Sequence, residues 1–473
     1  MFVQQFFVRG IAHSSYLLGG GDTCAIVDPQ RDVQIYIDAA EEMGMRITHI
    51  LETHLHADFV SGHLDLEEET GARIFAPKSA RCAFRHVGVS EGDRIRVEDM
   101  TISVVETPGH TPEHVSYVVT DEGRGKEPVA VFCGDTLFVG DVGRPDLFPG
   151  RAEELAEKLF HSLHAKLMKL PDFCEVYPAH GAGSLCGRAL GAKRTSTIGY
   201  ERRFNAALAI SDRTTFIRSL TTNMPAAPDH FGRCSTINRK GPTLTHTLPG
   251  PAPLSPAQFG ARLRRKGTVA LDIRQYDAFG GQHVPGSYNI DSGGNFATFA
   301  GWVLPPGKDI LLVSNTDEEA AEASQMLRRV GLDRVAGYLD GGTFAWAKEG
   351  LPTAHVPQLS TDEFHRLING TRPVIVCDVR ARGEFEARHI KGAINVPAPD
   401  LRTKYRALDR KKTIAVVCST GHRSSLAASL LKQRGFEDVV NIAGGMTGYA
   451  AAGYAGECPM CAAPHMPAMS RMA

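Results

Sequence analysis

The 473-residue sequence predicts a multidomain α/β protein. Three observations carry that expectation. Strand-like and helical patterns alternate along the chain, a Pro-rich stretch interrupts it at Leu248–Pro256, and the part beyond that stretch contains one residue pattern twice. At roughly 150 residues per domain, the length itself suits about three domains. Hydrophobic residues make up 42% and charged residues 22%, which supports several buried cores and argues against disorder. Fifty-two Lys and Arg against 53 Asp and Glu leave a net charge of −1, so there is no electrostatic footprint for nucleic acid. No apolar run approaches the roughly 18 residues that a membrane helix needs. Met1 to Gly10 holds one cation and no small-residue cleavage site follows, which does not match a signal peptide. Ten cysteines are too sparse for a disulfide scaffold; the expected location is the cytoplasm, where thiols are free, catalytic or ligating.

The first part, residues 1–245, alternates β-rich runs such as Cys24–Asp28 and Ile102–Glu106 with loops rich in His, Gly and Asp. A helical pattern covers Ala152 to Leu170. The Pro-rich stretch reads as a semi-rigid linker. Beyond it, Leu271–Arg274 and His283–Asn289 match Cys377–Arg380 and His389–Asn395, with Asp272 and His283 each 106 residues before Asp378 and His389. A repeat of that length is a domain duplication rather than a solenoid. It gives segments 253–355 and 357–456, each alternating strands and amphipathic helices as a parallel sheet does.

Candidate ligands concentrate in the first part. Thr53-His-Leu-His-Ala-Asp-Phe-Val-Ser-Gly-His63 follows the strand-like Ile47–Leu51. Imidazoles at i and i+2 with a carboxylate at i+4, on a turn after a strand, can converge on one ion. Three further clusters sit at ends of apolar runs: Pro108-Gly-His-Thr-Pro-Glu-His114, Cys133-Gly-Asp-Thr136 and Tyr177-Pro-Ala-His-Gly181. Together they predict a metal site, with zinc or iron the expected ion for His and carboxylate ligands.

These motifs resemble the metallo-β-lactamase superfamily, whose signature is H-x-H-x-D-H followed by later His, Asp and His. The resemblance implies an αββα sandwich with a metal at one edge, and Asp28 matches the superfamily's structural aspartate. The signature's last His is Phe59 here, so a two-metal site of the glyoxalase II type loses an imidazole. The pattern left is two His and one carboxylate, as in non-haem Fe(II) oxygenases. It is similar to the persulfide dioxygenase branch, which implies one Fe(II) per chain on His54, His110 and Asp135. His56, Asp58 and His180 then orient ligands or water around it. Arg144, in Gly140–Asp146, is either a bidentate grip for a substrate carboxylate or a structural ion pair. Tyr177 is either a pocket residue or a packed aromatic. Cys133 is expected to pack against the site, and Cys186 could face the pocket.

Cys418-Ser-Thr-Gly-His-Arg423 lies between the apolar Thr413–Val417 and the helical Ser424–Gln433. A loop that opens a helix aims backbone N–H groups inward and favours a thiolate. The loop and its flanks resemble the rhodanese family, which implies Cys418 as sulfur acceptor and Arg423 as an orienting residue. The first repeat has Ser314-Asn-Thr-Asp-Glu-Glu319 in that place, so it reads as an inactive rhodanese-like domain. The tail, 457–473, carries Cys458 and Cys461, either a redox or sulfur-relay pair or part of a flexible extension.

The resemblances together imply oxidation of a low-molecular-weight thiol persulfide by O2 to sulfite, coupled to transfer of sulfane sulfur among persulfide, sulfite and thiosulfate in sulfide detoxification. Glutathione, coenzyme A, another small thiol or inorganic polysulfide could carry the sulfur, and a homo-oligomer is expected. A glyoxalase II-like thioester hydrolase with a fused sulfurtransferase is the alternative reading, and a sensor with a degenerate site is the third.

Overall fold

A computed structural model describes residues 1–188, 190–222 and 224–454. The chain forms two compact units. One comprises Met1–Pro249 with Ala300–Trp302 and Gln325–Asp333; the other comprises Gly250–Phe299, Val303–Ser324 and residues 334–454.

The first unit is built on two six-stranded sheets. One runs in chain order through Phe2–Val8, His13–Gly19, Thr23–Val27, Arg46–Leu51, Arg73–Pro77 and Val87–Val89. The other is ordered Ser196–Thr197, Glu175–Pro178, Ala130–Gly134, Val115–Asp121, Met100–Glu106 and Arg94–Val97. Alternation along each strand sends one set of side chains inward. Tyr16, Leu18, Val27 and Leu51 of one sheet meet Ile102, Val104, Tyr117 and Phe132 of the other in a shared core. The opposite faces carry their own cores, one covered by helices Gln34–Glu42 and His63–Thr70, the other by Ala152–His161 and Arg213–Thr221. That is the αββα layering.

Local rules explain most elements, and two depart from expectation. The single helix expected over Ala152–Leu170 is α-helical only to His161. It continues as a π-helical turn, Ser162–Lys166, and a short 3-10 turn, Leu167–Lys169, stopping before Pro171. Ser162 there donates its hydroxyl to the Pro108 carbonyl at 2.8 Å, which ties this turn to the loop carrying His110. The Pro-rich stretch is not wholly a linker. Pro253–Leu254 pairs as a strand, and Pro256 opens the helix Pro256–Leu263 under a Ser255–Gln258 capping box. Pro suits the first helical turn, where its missing N–H would be unpaired anyway.

The second unit holds two five-stranded sheets, both all-parallel. The first is ordered Pro253–Leu254, Val335–Leu339, Asp309–Val313, Thr268–Asp272, Tyr288–Asn289. The second is ordered Gln358–Leu359, Val439–Ile442, Thr413–Val417, Val374–Asp378, Ile394–Asn395. Numbered along the chain, the strand order is first, fifth, fourth, second, third in each. The repeat read from sequence is thus a repeat of topology. Cys458 and Cys461 lie outside the described residues. Among those described, no helix is long and apolar enough to cross a membrane.

Candidate metal centre and sulfur-transfer loop

His54, His110 and Asp135 come together although 81 residues separate the first from the last. Each leaves the end of a strand at the same edge of the first unit: His54 follows Arg46–Leu51, and Asp135 follows Ala130–Gly134. Asp135 Oδ2 lies 3.3 Å from His110 Nε2 and 3.8 Å from His54 Nε2. All three atoms are buried and have no hydrogen-bond partner. Buried polar atoms left in this way are costly, and a cation held among them removes the cost.

The surrounding hydrogen bonds fix the state of each candidate ligand. Thr53 donates its hydroxyl to Asp28 Oδ2 at 2.9 Å, so it must accept from His54 Nδ1–H, also at 2.9 Å. His110 Nδ1–H donates to the Arg144 carbonyl at 2.9 Å. Both rings therefore present an Nε2 lone pair to Asp135. Burial, reinforced by neighbouring imidazoles, lowers the His54 pKa well below the usual value, and burial lowers that of His110, so both rings are neutral.

His180 lies beside this trio. Its Nδ1 is 2.7 Å from Asp135 Oδ1 and its Nε2 is 2.8 Å from Asp58 Oδ2. Burial alone would lower its pKa, but the two carboxylates outweigh burial and raise it well above the usual value. The Asp135 carboxyl is in turn held low: burial opposes this, but His180 and His110 prevail. His56 turns to another partner, with Nε2 3.1 Å from Asp28 Oδ1. Phe59 fills the space between these groups, its ring centroid 4.0 Å from that of His13 and 4.4 Å from that of His56.

Other residues of the same clusters act as supports. His114 accepts from the Asp135 backbone N–H at 3.0 Å and stacks on His54, centroids 4.7 Å apart. Gly134, with φ +48°, is required there: a Cβ would stand 2.4 Å from His114 Nε2 and 2.6 Å from Thr53 Oγ1. Cys186 does reach the site, within 4.8 Å of the ligand atoms of Asp58 and His180. Burial, with Asp58 and Asp135 nearby, keeps its thiol protonated. Cys133 instead points into the outer core and donates to the Leu137 carbonyl at 3.1 Å.

Arg144 and Tyr177, each open to a substrate or a packing role from the sequence, sit in packing contacts. Arg144 is 1% exposed. Its guanidinium bonds Asp146 twice, at 2.7 and 2.8 Å, the Leu185 carbonyl at 3.1 Å and the Pro225 carbonyl at 2.5 Å. Four of five N–H donors are thus spent, and the group is not offered to a substrate. Tyr177 stacks on Phe132 at 5.0 Å and meets Tyr16 at 5.3 Å in the packing of the inter-sheet core, and its hydroxyl donates to Glu175 at 2.6 Å. A cavity of about 530 Å³ is lined by Leu55 and Thr111, the chain neighbours of His54 and His110, and by Leu147; the charged residues in its wall are Arg81, Arg239 and Glu113.

In the second unit Cys418 follows strand Thr413–Val417 directly, and helix His422–Gln433 begins four residues later. The helix thus starts inside the loop, two residues earlier than the sequence pattern suggests. Cys418 Sγ accepts from the Gly421 N–H at 3.1 Å and from the Ser424 hydroxyl at 3.3 Å. Arg423 does not touch the sulfur in these bonds; it grips Glu384 at 2.6 and 2.8 Å and Ser419 Oγ at 2.8 Å, bracing the loop. In the first repeat, Glu319 folds back to accept from the Asn315 N–H at 2.8 Å, so a carboxylate fills the place where an anion would be held.

Comparison with known proteins agrees with both halves. The metallo-β-lactamase superfamily model matches residues 8–180, and the rhodanese-like domain model matches 255–349 and 360–452. The chain belongs to the metallo-β-lactamase superfamily and carries a tandem rhodanese pair. It is 37% identical over 159 residues to a hydroxyacylglutathione hydrolase of Rhodospirillum rubrum, covering 33% of this chain and 57% of that enzyme. It is 30% identical over 218 residues to the mitochondrial persulfide dioxygenase ETHE1 of Mus musculus, covering 44% of this chain and 76% of that one. A crystal structure of a metallo-β-lactamase from Staphylococcus aureus superposes with a TM-score of 0.65 at 35% identity, covering 71% of this chain and 98% of that one.

Proposed function

We propose that the first unit is a non-haem Fe(II) dioxygenase with one iron per chain, oxidising low-molecular-weight thiol persulfides such as glutathione persulfide to sulfite and thiol. The observation that carries this reading is that, of the three candidate ligand groups among the described residues, the one made of two imidazoles and one carboxylate turns three unpartnered ligand atoms together, near a phenyl ring where a two-metal hydrolase needs an imidazole. The ligands would be His54, His110 and Asp135. Iron(II) bound there would supply open positions for the terminal sulfur and for O2. The chain's own residues do the rest. Thr53 and the Arg144 carbonyl hold the two rings in the ligating tautomer. His180 holds Asp135 in place through Nδ1 at 2.7 Å. Arg81 and Arg239 give the cavity wall the charge that carboxylates of a thiol such as glutathione require. The balance is R–S–SH + O2 + H2O giving R–SH and sulfite with two protons.

In the second unit Cys418 would carry the sulfane sulfur as a persulfide. Sulfite attacking its outer sulfur gives thiosulfate and returns the Cys418 thiolate, and the reverse uses thiosulfate as donor. The joint task is sulfide detoxification. The eight described cysteines are all free thiols, which suits a cytoplasmic protein.

The likeness to hydroxyacylglutathione hydrolases makes thioester hydrolysis the competing reading. One preparation separates the two: anaerobic purification, elemental analysis, and O2 uptake with glutathione persulfide. About one iron per chain with persulfide-dependent O2 uptake and sulfite or thiosulfate as product is expected. Two zinc ions, no O2 uptake and thioester cleavage would overturn it. A Cys418→Ser variant that keeps full thiosulfate-linked sulfur transfer would remove the carrier assignment.

A further inference from the structure

The first rhodanese-like repeat has lost its own sulfur-binding loop, yet it reaches into the loop of the second. Asp291, from the first repeat, lies with Oδ2 2.8 Å from His422 Nδ1. Tyr276 of the same repeat meets His422 edge-on with ring centroids 5.1 Å apart. It also lies against Gly421, where φ is +113° and a Cβ would come within 3.1 Å of the tyrosine ring. Asn289 accepts from the Ser425 hydroxyl at 2.5 Å and bonds Ser429 at 3.1 Å through its backbone N–H, which fixes this repeat to the helix behind the loop.

Asp291 and His422 border a cavity of about 560 Å³, lined also by Gln275, Asn295 and Phe299 of the first repeat and by Arg423 of the second. Sites for organic ligands span about 300–1,000 Å³. The space therefore suits an organic thiol rather than a bare inorganic anion. An organic thiol brings a chemical need that sulfite does not: it is largely protonated near neutral pH, and only the thiolate attacks sulfur.

We propose that His422 is the proton acceptor for an organic thiol that takes sulfane sulfur from Cys418, and that Asp291 is the positioning residue that orients it. The inference rests on the sulfurtransferase reading of Cys418 given above. With Nδ1–H donated to the carboxylate, the ring keeps its lone pair on Nε2. His422 is 41% exposed, on the cavity wall, and reachable by a ligand. The thiol R–SH gives its proton to His422 Nε2. The thiolate forms a bond to the outer sulfur of Cys418–S–S⁻, the bond between that sulfur and Cys418 Sγ breaks, and its electron pair leaves on Sγ. The products are R–S–S⁻, the Cys418 thiolate and a protonated imidazole, with no net oxidation. The first repeat thereby keeps a role after losing its own loop: it supplies the carboxylate and half of the acceptor cavity.

The two half-reactions separate the claim from a general effect on the loop. Loading Cys418 from thiosulfate releases sulfite and needs no base; unloading to glutathione does. In the full chain, His422→Ala should slow unloading to glutathione about 10²-fold more than it slows sulfite release from thiosulfate in a single turnover, the usual worth of a positioned base. Asp291→Asn should show the same pattern with a smaller loss. Both variants should slow unloading to 5-thio-2-nitrobenzoate, an aromatic thiol already ionised near neutral pH, no more than they slow sulfite release. Equal losses with glutathione and the ionised thiol would mean a structural role for His422 and would overturn the proposal, as would unloading to glutathione at the parent rate. Failure of the unmodified protein to release sulfite from thiosulfate would remove the sulfurtransferase reading itself, and the base with it.

Discussion

Arg144 offers a sharp test, because its two readings from sequence predict opposite phenotypes. Consider Arg144→Ala. The guanidinium is buried, paired with both oxygens of Asp146 and bonded to two backbone carbonyls. Removing one partner of such a pair costs about 3–5 kcal/mol. The Asp146 side chain keeps 24% of its exposure and can take up water, which favours the lower end, about 3 kcal/mol. For a domain of about 150–250 residues each kcal/mol moves the unfolding midpoint by roughly 2–4 °C, so the expected shift is about 6–12 °C. Calorimetry of the first unit's transition measures it. A cycle with Asp146→Asn isolates the pair, and the double variant should lose less than the two single losses added together. A side chain that gripped substrate would behave otherwise: a midpoint within about 1 °C of the parent, well under the shift expected for any lost buried pair, together with a raised KM for persulfide, would refute the structural assignment.

Three further outcomes follow from the same geometry. Phe59→His restores an imidazole beside His56 and His180, so metal content after reconstitution should rise from one ion towards two per chain; an unchanged content would show that the phenyl ring is not what restricts the site. Replacing Arg81 and Arg239 together by Ala should raise the KM for glutathione persulfide about tenfold or more, the equivalent of at least one charge-assisted hydrogen bond, with kcat little changed; an unaltered KM would mean that the substrate carboxylates bind elsewhere. The third concerns Glu384, whose pKa falls from 4.5 to about 2: burial opposes the shift, but Arg423 and Ser419 outweigh it. A carboxyl held low stabilises the fold fully above its unfolded value, and that contribution is lost as pH falls through the folded value. Glu384→Gln should therefore lower the second unit's unfolding midpoint near neutral pH, and the gap should close as pH falls from about 4.5 to about 2; a gap independent of pH would show that Glu384 acts by packing alone.

The parts of the two sites that were legible in the sequence are those whose geometry is local. His54, His56 and Asp58 lie on one turn after a strand, and Cys418 to Arg423 form one loop that opens a helix. In such cases spacing alone limits where side chains can go. Arg144 and Tyr177 were ambiguous for the converse reason. The fate of a guanidinium depends on what surrounds it, and two of its acceptors, Leu185 and Pro225, lie 41 and 81 residues away. Tyr177 sits two residues before a turn that leads to His180, but alternation along the strand turns its ring into the inter-sheet core.

The sequence by itself determined the alternation of strands and helices, the parallel-sheet pattern and duplication of the second part, the clusters of candidate ligands and the changed loop of the first repeat; the αββα layering and the choice of three ligands came from the resemblance to the metallo-β-lactamase superfamily. The former follow from hydrophobic period, residue identity and short spacing, which the chain carries without reference to its fold. Only the tertiary structure decided which lone pairs are left unpartnered, that Arg81 and Arg239 rather than Arg144 line the first cavity, and that Asp291 meets His422 across 131 residues of chain. Those outcomes depend on which strands lie side by side and on which hydrogen bonds are already taken. Both are properties of packing, and no local pattern encodes them.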